Sequence, residues 1–233
     1  MLKSNLKYAE QACQWIMIYM VTNFLSALWY LYLISTADSI FDVLIHNDVN
    51  TQYVTRFFSW ASTLILVCTA IFFIRWYKTI YHNCYLINRT DRVHSEDMAV
   101  AAWFIPIANL IVPLRVMRDA WELGLENAEL GTEDRLELER IGGLIGVWWT
   151  LWVGFLLLPL VIGLLLFAHD TETLFIDTVF WMIPMICGTI LCLTSGLLLI
   201  YLISAYTKIE DGLMKAVKTG KLRLLDPIQE KTI

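Results

Sequence analysis

The chain has 233 residues, of which 58% are hydrophobic and 17% are charged, and its mean hydropathy is +0.60. These values lie outside the range of soluble globular domains and predict an integral membrane protein. The net charge of −5 gives no reason to expect a nucleic-acid partner. Five cysteines without CxxC spacing predict neither a disulfide framework nor a metal site.

Four windows without a charged residue are long enough to cross a bilayer core of about 30 Å. They predict an all-α protein with four transmembrane helices, at about residues 14–35, 57–83, 141–168 and 178–207. With the amino terminus inside, this topology places every one of the 17 Lys and Arg residues on the inner side except Arg56. The positive-inside rule therefore predicts that both termini are cytoplasmic.

The second predicted helix continues past its apolar window as far as residue 83, because neither Gly nor Pro interrupts it. Arg75 and Lys78 share one face of this extension. Trp76 and Tyr77 add aromatic rings, which are typical of a membrane-interface belt. A sharper interpretation is that these residues bind the phosphate of an anionic lipid.

The apolar segment 98–117 contains Trp103, Pro106, Asn109 and Pro113 and is followed by basic residues. Each proline removes a backbone donor and disfavours helix at the residue before it, so we predict two breaks in this segment. Broken backbone at membrane depth must be buried in protein or line a wet cavity. We therefore expect a re-entrant or interfacial segment and place the candidate functional site there.

Residues 118–140 are predicted to form an acidic cytoplasmic helix. Glu122, Glu126 and Glu129 share one face, which suggests a divalent-cation site. A solvated helix is the favoured interpretation, because no His, Cys or oxygen-rich loop completes a ligand set.

The spacing of Gly142 and Gly146 predicts close helix packing, either within the chain or between subunits. Residues 1–207 form the predicted transmembrane domain. Residues 208–233 alternate basic and apolar residues, which predicts an amphipathic cytoplasmic helix on the inner leaflet.

These residues resemble a bacterial multi-pass membrane protein family grouped as domain of unknown function 4328. The features that carry the resemblance are Arg75-Trp76-Tyr77 to Asn83, the run WFIPIAN at 103–109 with Pro113, Arg115, Arg118 and Trp121 after it, and the pair Trp148-Trp149. The resemblance covers all four predicted helices. Leu114 stands where an aromatic residue is expected, and neither the acidic helix nor the basic tail matches. The resemblance implies a bacterial inner-membrane protein and implies no activity.

The favoured prediction is a non-enzymatic membrane module whose cytoplasmic face binds lipid headgroups or a partner protein. The candidate binding residues are Arg75, Trp76, Tyr77, Lys78, Asn109, Arg115 and Arg118, and those of the broken segment itself are Trp103, Pro106, Asn109 and Pro113. Expected partners are membrane lipids, anionic lipids among them, a second copy of the chain or a cytoplasmic protein. No catalytic residue, metal or cofactor is expected.

Two alternatives remain open on sequence grounds. An oligomeric channel or transporter would use the broken segment as a filter or gate, with Asn23, Asn109 and backbone carbonyls along its path. The spanning helices carry no charged residue near mid-depth, which disfavours this reading. A lipid-modifying enzyme would depend on His82 and His94, neither of which has a catalytic partner at a recognised spacing.

Overall fold

The computed structural model describes residues 2–36, 49–87, 96–168 and 178–224. All regular structure within these ranges is helical. The helices are, in chain order, α1 (Leu6–Thr36), α2 (Val49–Ile87), α3 (Glu96–Ala101), α4 (Pro106–Asn109), α5 (Val112–Asn127), α6 (Thr132–Gly142), α7 (Leu144–Ala168) and α8 (Thr178–Lys218).

Within the described residues, four helical stretches are long and apolar enough to cross a membrane. They are α1, α2, the pair α6 and α7, and α8. The predicted all-α class and the predicted number of candidate spans are therefore confirmed.

The helices extend beyond the predicted bounds. Helix α1 begins at Leu6, α2 runs from Val49 to Ile87, and α8 ends at Lys218. A charge-free window marks the part of a helix that suits hydrocarbon, and a helix can continue into water with polar residues. The predicted boundary at residue 207 therefore falls inside α8.

The acidic segment 118–140 is not one helix. Helix α5 ends at Asn127, and the next residue, Ala128, has an extended backbone with φ −75° and ψ 140°. Helix α6 begins only at Thr132. The backbone N–H of Glu129 donates to the carbonyl of Gly212 in α8 at 3.0 Å, so the interruption is held by a tertiary hydrogen bond.

The chain forms two compact units. The first comprises Met1–Gln14, Ala70–Trp149 and Leu198–Ile233, and the second comprises Trp15–Thr69 and Thr150–Leu197. Helices α1, α2, α7 and α8 contribute residues to both units.

An aromatic cluster forms the core of the first unit. The ring of Phe73 lies 5.2 Å from that of Trp103, 5.6 Å from that of Trp76, 6.1 Å from that of Tyr77 and 6.3 Å from that of Trp148. Trp76 and Tyr77 are 0% exposed. Each such ring pair contributes about 0.5–1.5 kcal/mol beyond the burial of its area. The cluster therefore provides a rigid base for the segments around it.

The end of α8 packs against α5 in the same unit. A Cβ at Gly124 would lie 2.6 Å from Cγ2 of Ile209, so the two helices approach closely there. Ile209 and Leu213 are buried. The sequence predicts that residues 208–233 lay their apolar face on the membrane. At Ile209 and Leu213 that face is covered by protein, which corrects the prediction there, and residues 225–233 lie outside the described residues.

Hydrogen bonds between α1 and α2 hold the second unit. They are Thr69 Oγ1 to the Trp15 carbonyl at 3.0 Å, Ser26 Oγ with Ser62 Oγ at 3.3 Å, and Trp29 Nε1 to Thr55 Oγ1 at 3.1 Å. Polar side chains commonly join apolar helices in this way.

Candidate functional site

The segment that follows the first two spans is broken twice, as predicted. Helix α3 ends at Ala101, and α4 starts at Pro106 after Ile105, whose backbone is extended with φ −99° and ψ 113°. Helix α5 then starts at Val112, with Pro113 in its first turn. Proline suits a first helical turn, where its missing N–H is not needed. The sequence therefore located both breaks correctly.

The backbone of this segment is largely hydrogen-bonded despite the breaks. Asn109 N–H donates to the Ile105 carbonyl at 2.7 Å, and Leu110 N–H donates to the Ile107 carbonyl at 3.2 Å. The Leu110 carbonyl in turn accepts from Trp149 Nε1 at 3.0 Å. Satisfied backbone groups lower the cost of contact with an apolar environment.

One face of the segment packs on the aromatic cluster. Ala99 and Ala102 are 0% exposed, and Pro113 is buried. The ring of Trp103 meets those of Tyr77 and Phe73 edge to face, at 5.6 Å and 5.2 Å. Trp103 is thus a packing residue that fixes the position of the break.

The opposite face forms an exposed apolar tip. We use this name for five side chains, which are Phe104, Ile105, Ile107, Leu110 and Ile111. Phe104 is 73% exposed and Ile107 is 78% exposed. Contiguous exposed apolar side chains mark a surface that contacts a membrane or a partner. The tip faces away from the aromatic cluster.

The basic residues of the predicted site lie on two helices, and all four are exposed. Arg115 and Arg118 are on α5, one turn apart and directly after the tip. On α2, the guanidinium of Arg75 lies 5.9 Å from the ring of Phe72. Lys78 Nζ lies 3.6 Å from Asp97 Oδ1, and an exposed pair of this kind contributes little stability.

Trp76 and Tyr77 do not belong to any surface, because both lie in the aromatic cluster. The spacing of apolar residues in the sequence indicates this burial of Trp76 and Tyr77. Phe73, Trp76, Ile80 and Cys84 recur at helical spacing and are all buried, whereas Arg75 and Lys78 lie between them and are exposed. A binding surface on this unit must therefore be built without these two rings.

Asn109 ends helix α4 and is half-buried. Its Oδ1 atom is buried and has no hydrogen-bond partner among the described residues. Of the histidines in the enzyme alternative, His82 is half-buried on α2, and His94 lies outside the described residues.

Sequence reasoning missed three features of the first unit: the exposed tip, a groove beside α6, and a cluster around Glu129. Glu129 Oε1 accepts from Lys221 Nζ at 2.8 Å, and Oε2 accepts from Thr219 Oγ1 at 3.2 Å. Lys215 Nζ lies 3.8 Å from Oε1. The hydrogen bond from Lys221 is the main reason that the pKa of Glu129 is lowered from its ordinary value of 4.5.

Comparison with known proteins agrees with the resemblance seen in the sequence. The family described as Domain of unknown function (DUF4328) matches residues 48–208. This range runs from α2 to Lys208 of α8 and leaves out α1, which the sequence resemblance had included. No curated protein and no solved structure matches the chain. The chain belongs to the DUF4328 family.

Proposed function

We propose that this protein is a non-enzymatic membrane module that binds anionic phospholipid headgroups through the apolar tip and the two arginines that follow it. One observation carries the proposal: a tip of exposed apolar side chains, fixed on a rigid aromatic base, is followed directly by exposed Arg115 and Arg118.

The apolar tip supplies the insertion into the membrane. Phe104 and Ile107 are more than two-thirds exposed, so transferring them from water to the acyl boundary is favourable. Full burial of one such side chain is worth about 1.5–3 kcal/mol. Interfacial segments use apolar residues in this way, with basic residues at headgroup level.

The arginines supply the recognition of charge. A guanidinium can hold a phosphate through two parallel hydrogen bonds, and each basic residue near an anionic leaflet adds about 1 kcal/mol. Arg115 and Arg118 follow the tip by one to two helical turns, so they are placed where headgroups would lie when the tip is inserted. Arg75, exposed on α2, adds a third charge to the same unit.

The distribution of Lys and Arg along the chain supports placing this face, and both termini, on the cytoplasmic side. The family resemblance supports a bacterial inner membrane. That leaflet is where anionic headgroups attract basic segments. Lipid, and not a partner protein, is the favoured occupant, because adjoining apolar and basic surfaces match the two layers of a membrane interface.

The proposal is tested by native mass spectrometry of the protein with bound phosphatidylglycerol. The variant Arg115→Gln/Arg118→Gln should bind phosphatidylglycerol about tenfold more weakly than the unmodified chain. A matched control, Lys218→Gln/Arg223→Gln, removes the same charge from exposed positions near the end of α8 and should bind as the unmodified chain does. Equal loss in both variants, or loss in neither, would contradict the proposal.

A further inference from the structure

A groove on the first unit has no role in the function proposed above. It lies beside α6, the first turn of α7 and Tyr201 of α8, and its volume is about 570 Å³. Volumes of about 300–1,000 Å³ are typical of small-molecule sites. The groove is therefore large enough to hold a lipid headgroup with the start of its acyl chains.

The two ends of the groove differ in chemistry. Glu133, Glu137 and Arg140 line its polar end from α6, where their spacing puts them on one helical face. Leu144 and Tyr201 line its apolar end, and both belong to stretches without any charged residue. The groove therefore crosses the boundary between the part of the protein that faces water and the part that faces hydrocarbon.

Two apolar side chains at this groove are open to their surroundings. Leu136 is 57% exposed on a helix with six charged residues, and Tyr201 is 47% exposed. Acyl methylenes packed beside Leu136 and Tyr201 would remove their exposed apolar surface from water. Tyrosine, with an apolar ring and a polar hydroxyl, suits the boundary between headgroup and chain.

The polar end carries both signs of charge. Glu137 Oε2 lies 3.2 Å from Lys208 Nζ, so that carboxylate already has a cationic partner. Glu133 and Arg140 then offer one carboxylate and one guanidinium along the same helical face. A purely anionic headgroup would be repelled by the carboxylates, and a purely cationic one by the guanidinium.

We infer that this groove is a binding site for a zwitterionic phospholipid with a primary ammonium, of the phosphoethanolamine class. Arg140 binds the phosphate and Glu133 accepts hydrogen bonds from the ammonium. A quaternary ammonium cannot donate such bonds and is recognised by aromatic cages, whereas Tyr201 is the one aromatic side chain among the described residues that line this groove.

The experiment is a titration of the full chain in detergent with phosphatidylethanolamine, phosphatidylcholine and phosphatidylglycerol, followed by native mass spectrometry. At this site phosphatidylethanolamine should bind about tenfold more tightly than phosphatidylcholine. Glu133→Gln and Arg140→Gln, singly, should each weaken phosphatidylethanolamine binding several-fold, and together by at least about tenfold. All the substituted side chains are exposed, so the variants should remain folded.

The control variant is Glu139→Gln/Arg223→Gln, which makes the same two charge changes at exposed positions that do not line the groove. It should bind phosphatidylethanolamine as the unmodified chain does. The inference is overturned if binding survives the groove double variant, if the control loses it equally, or if phosphatidylcholine binds as tightly. Arg115→Gln/Arg118→Gln should leave this binding unchanged, so failure here is separable from failure of the proposed function.

Discussion

Gly142 at the end of α6 lies directly against the indole of Trp121 in α5. A Cβ at position 142 would come within 2.6 Å of Trp121 Nε1. The same nitrogen donates a hydrogen bond to the Leu138 carbonyl at 3.0 Å, and Trp121 is only 2% exposed. The Nε1 edge of the ring is therefore held by a hydrogen bond to α6 at a point where only a glycine leaves room for it.

Substituting Gly142 should destabilise the protein more than substituting Gly146. A Cβ at Gly146 would meet Arg118 Nη2 at 2.7 Å, but that side chain is exposed and flexible and can turn away. Gly142→Ala should cost about 1–3 kcal/mol, as overpacking does, and Gly146→Ala less than about 0.5 kcal/mol. Thermal unfolding in detergent measures both. Equal shifts in the two melting temperatures would contradict this account.

The same two glycines show where sequence reasoning stops. The GxxxG spacing predicted close packing but left open whether it joined helices within the chain or between subunits. The structure places side chains of α5 against both glycines, so the close contacts are within the chain. Spacing along the sequence indicates that a neighbouring element can approach closely, and only the tertiary fold shows which element does so.

The Glu129 cluster predicts a pH dependence at the end of α8. Because the pKa of Glu129 is lowered, mainly by its hydrogen bond from Lys221, the contribution of the ionised form is fully present above pH 4.5. It is lost as the pH falls through the lowered pKa. Glu129→Gln should therefore increase hydrogen exchange of the backbone from Lys215 to Leu222 at pH 7, and the difference from the unmodified chain should shrink below pH 4.5.

The matched control for that experiment is Glu126→Gln, which removes an exposed carboxylate from α5 one turn earlier. It should leave exchange at the end of α8 unchanged at pH 7. Equal protection in the Glu129→Gln variant and the unmodified chain at pH 7 would show that the cluster does not hold this end of the helix.

Asn83 should anchor the residues that precede α1. Its Oδ1 accepts from Lys3 N–H at 2.9 Å, and its Nδ2 donates to the Lys3 carbonyl at 2.8 Å. Asn83 is 4% exposed, so Asn83→Ala leaves both Lys3 groups without these partners and should cost about 1–3 kcal/mol. For a chain of this size the melting temperature should fall by about 2–4 °C per kcal/mol.

Asn127→Ala is the control for the Asn83→Ala variant. Its Nδ2 donates at 2.9 Å to Leu123 in the same helix, so the variant removes a local bond only. Hydrogen exchange near Lys3 should rise in Asn83→Ala and stay unchanged in Asn127→Ala. An unchanged melting temperature in Asn83→Ala would contradict the anchoring role.

The exposed tip and the buried cluster should respond to substitution in opposite ways. Phe104→Ser/Ile107→Ser removes side chains that are mostly exposed, so it should shift stability in detergent by about 0.5 kcal/mol or less while weakening lipid binding. Phe73→Ala empties the centre of the aromatic cluster and should cost about 3–5 kcal/mol. Thermal unfolding measures the stability of the tip variant and of Phe73→Ala, and lipid titration measures their lipid binding. A tip variant that unfolds like Phe73→Ala would show that the tip is structural.

Much of the fold was predictable because membrane spans follow from charge-free length and helix breaks follow from proline. Pro106 and Pro113 fixed both interruptions. Composition leaves the burial of Trp76 and Tyr77 open, because aromatic rings at the end of a span suit both a membrane interface and a protein core. Only the helical spacing of the buried residues Phe73, Trp76, Ile80 and Cys84 indicates burial. Ile209 shows the same ambiguity: its helix is amphipathic, but the surface that covers its apolar face is contributed by α5, distant in sequence.

The most direct test of the central claim is the composition of the lipid that remains bound after extraction from a bilayer of equal parts phosphatidylglycerol and phosphatidylcholine. The account predicts that the unmodified chain retains phosphatidylglycerol in excess over phosphatidylcholine, and that Arg115→Gln/Arg118→Gln removes this excess. Equal retention of the two lipids by the unmodified chain would contradict the claim.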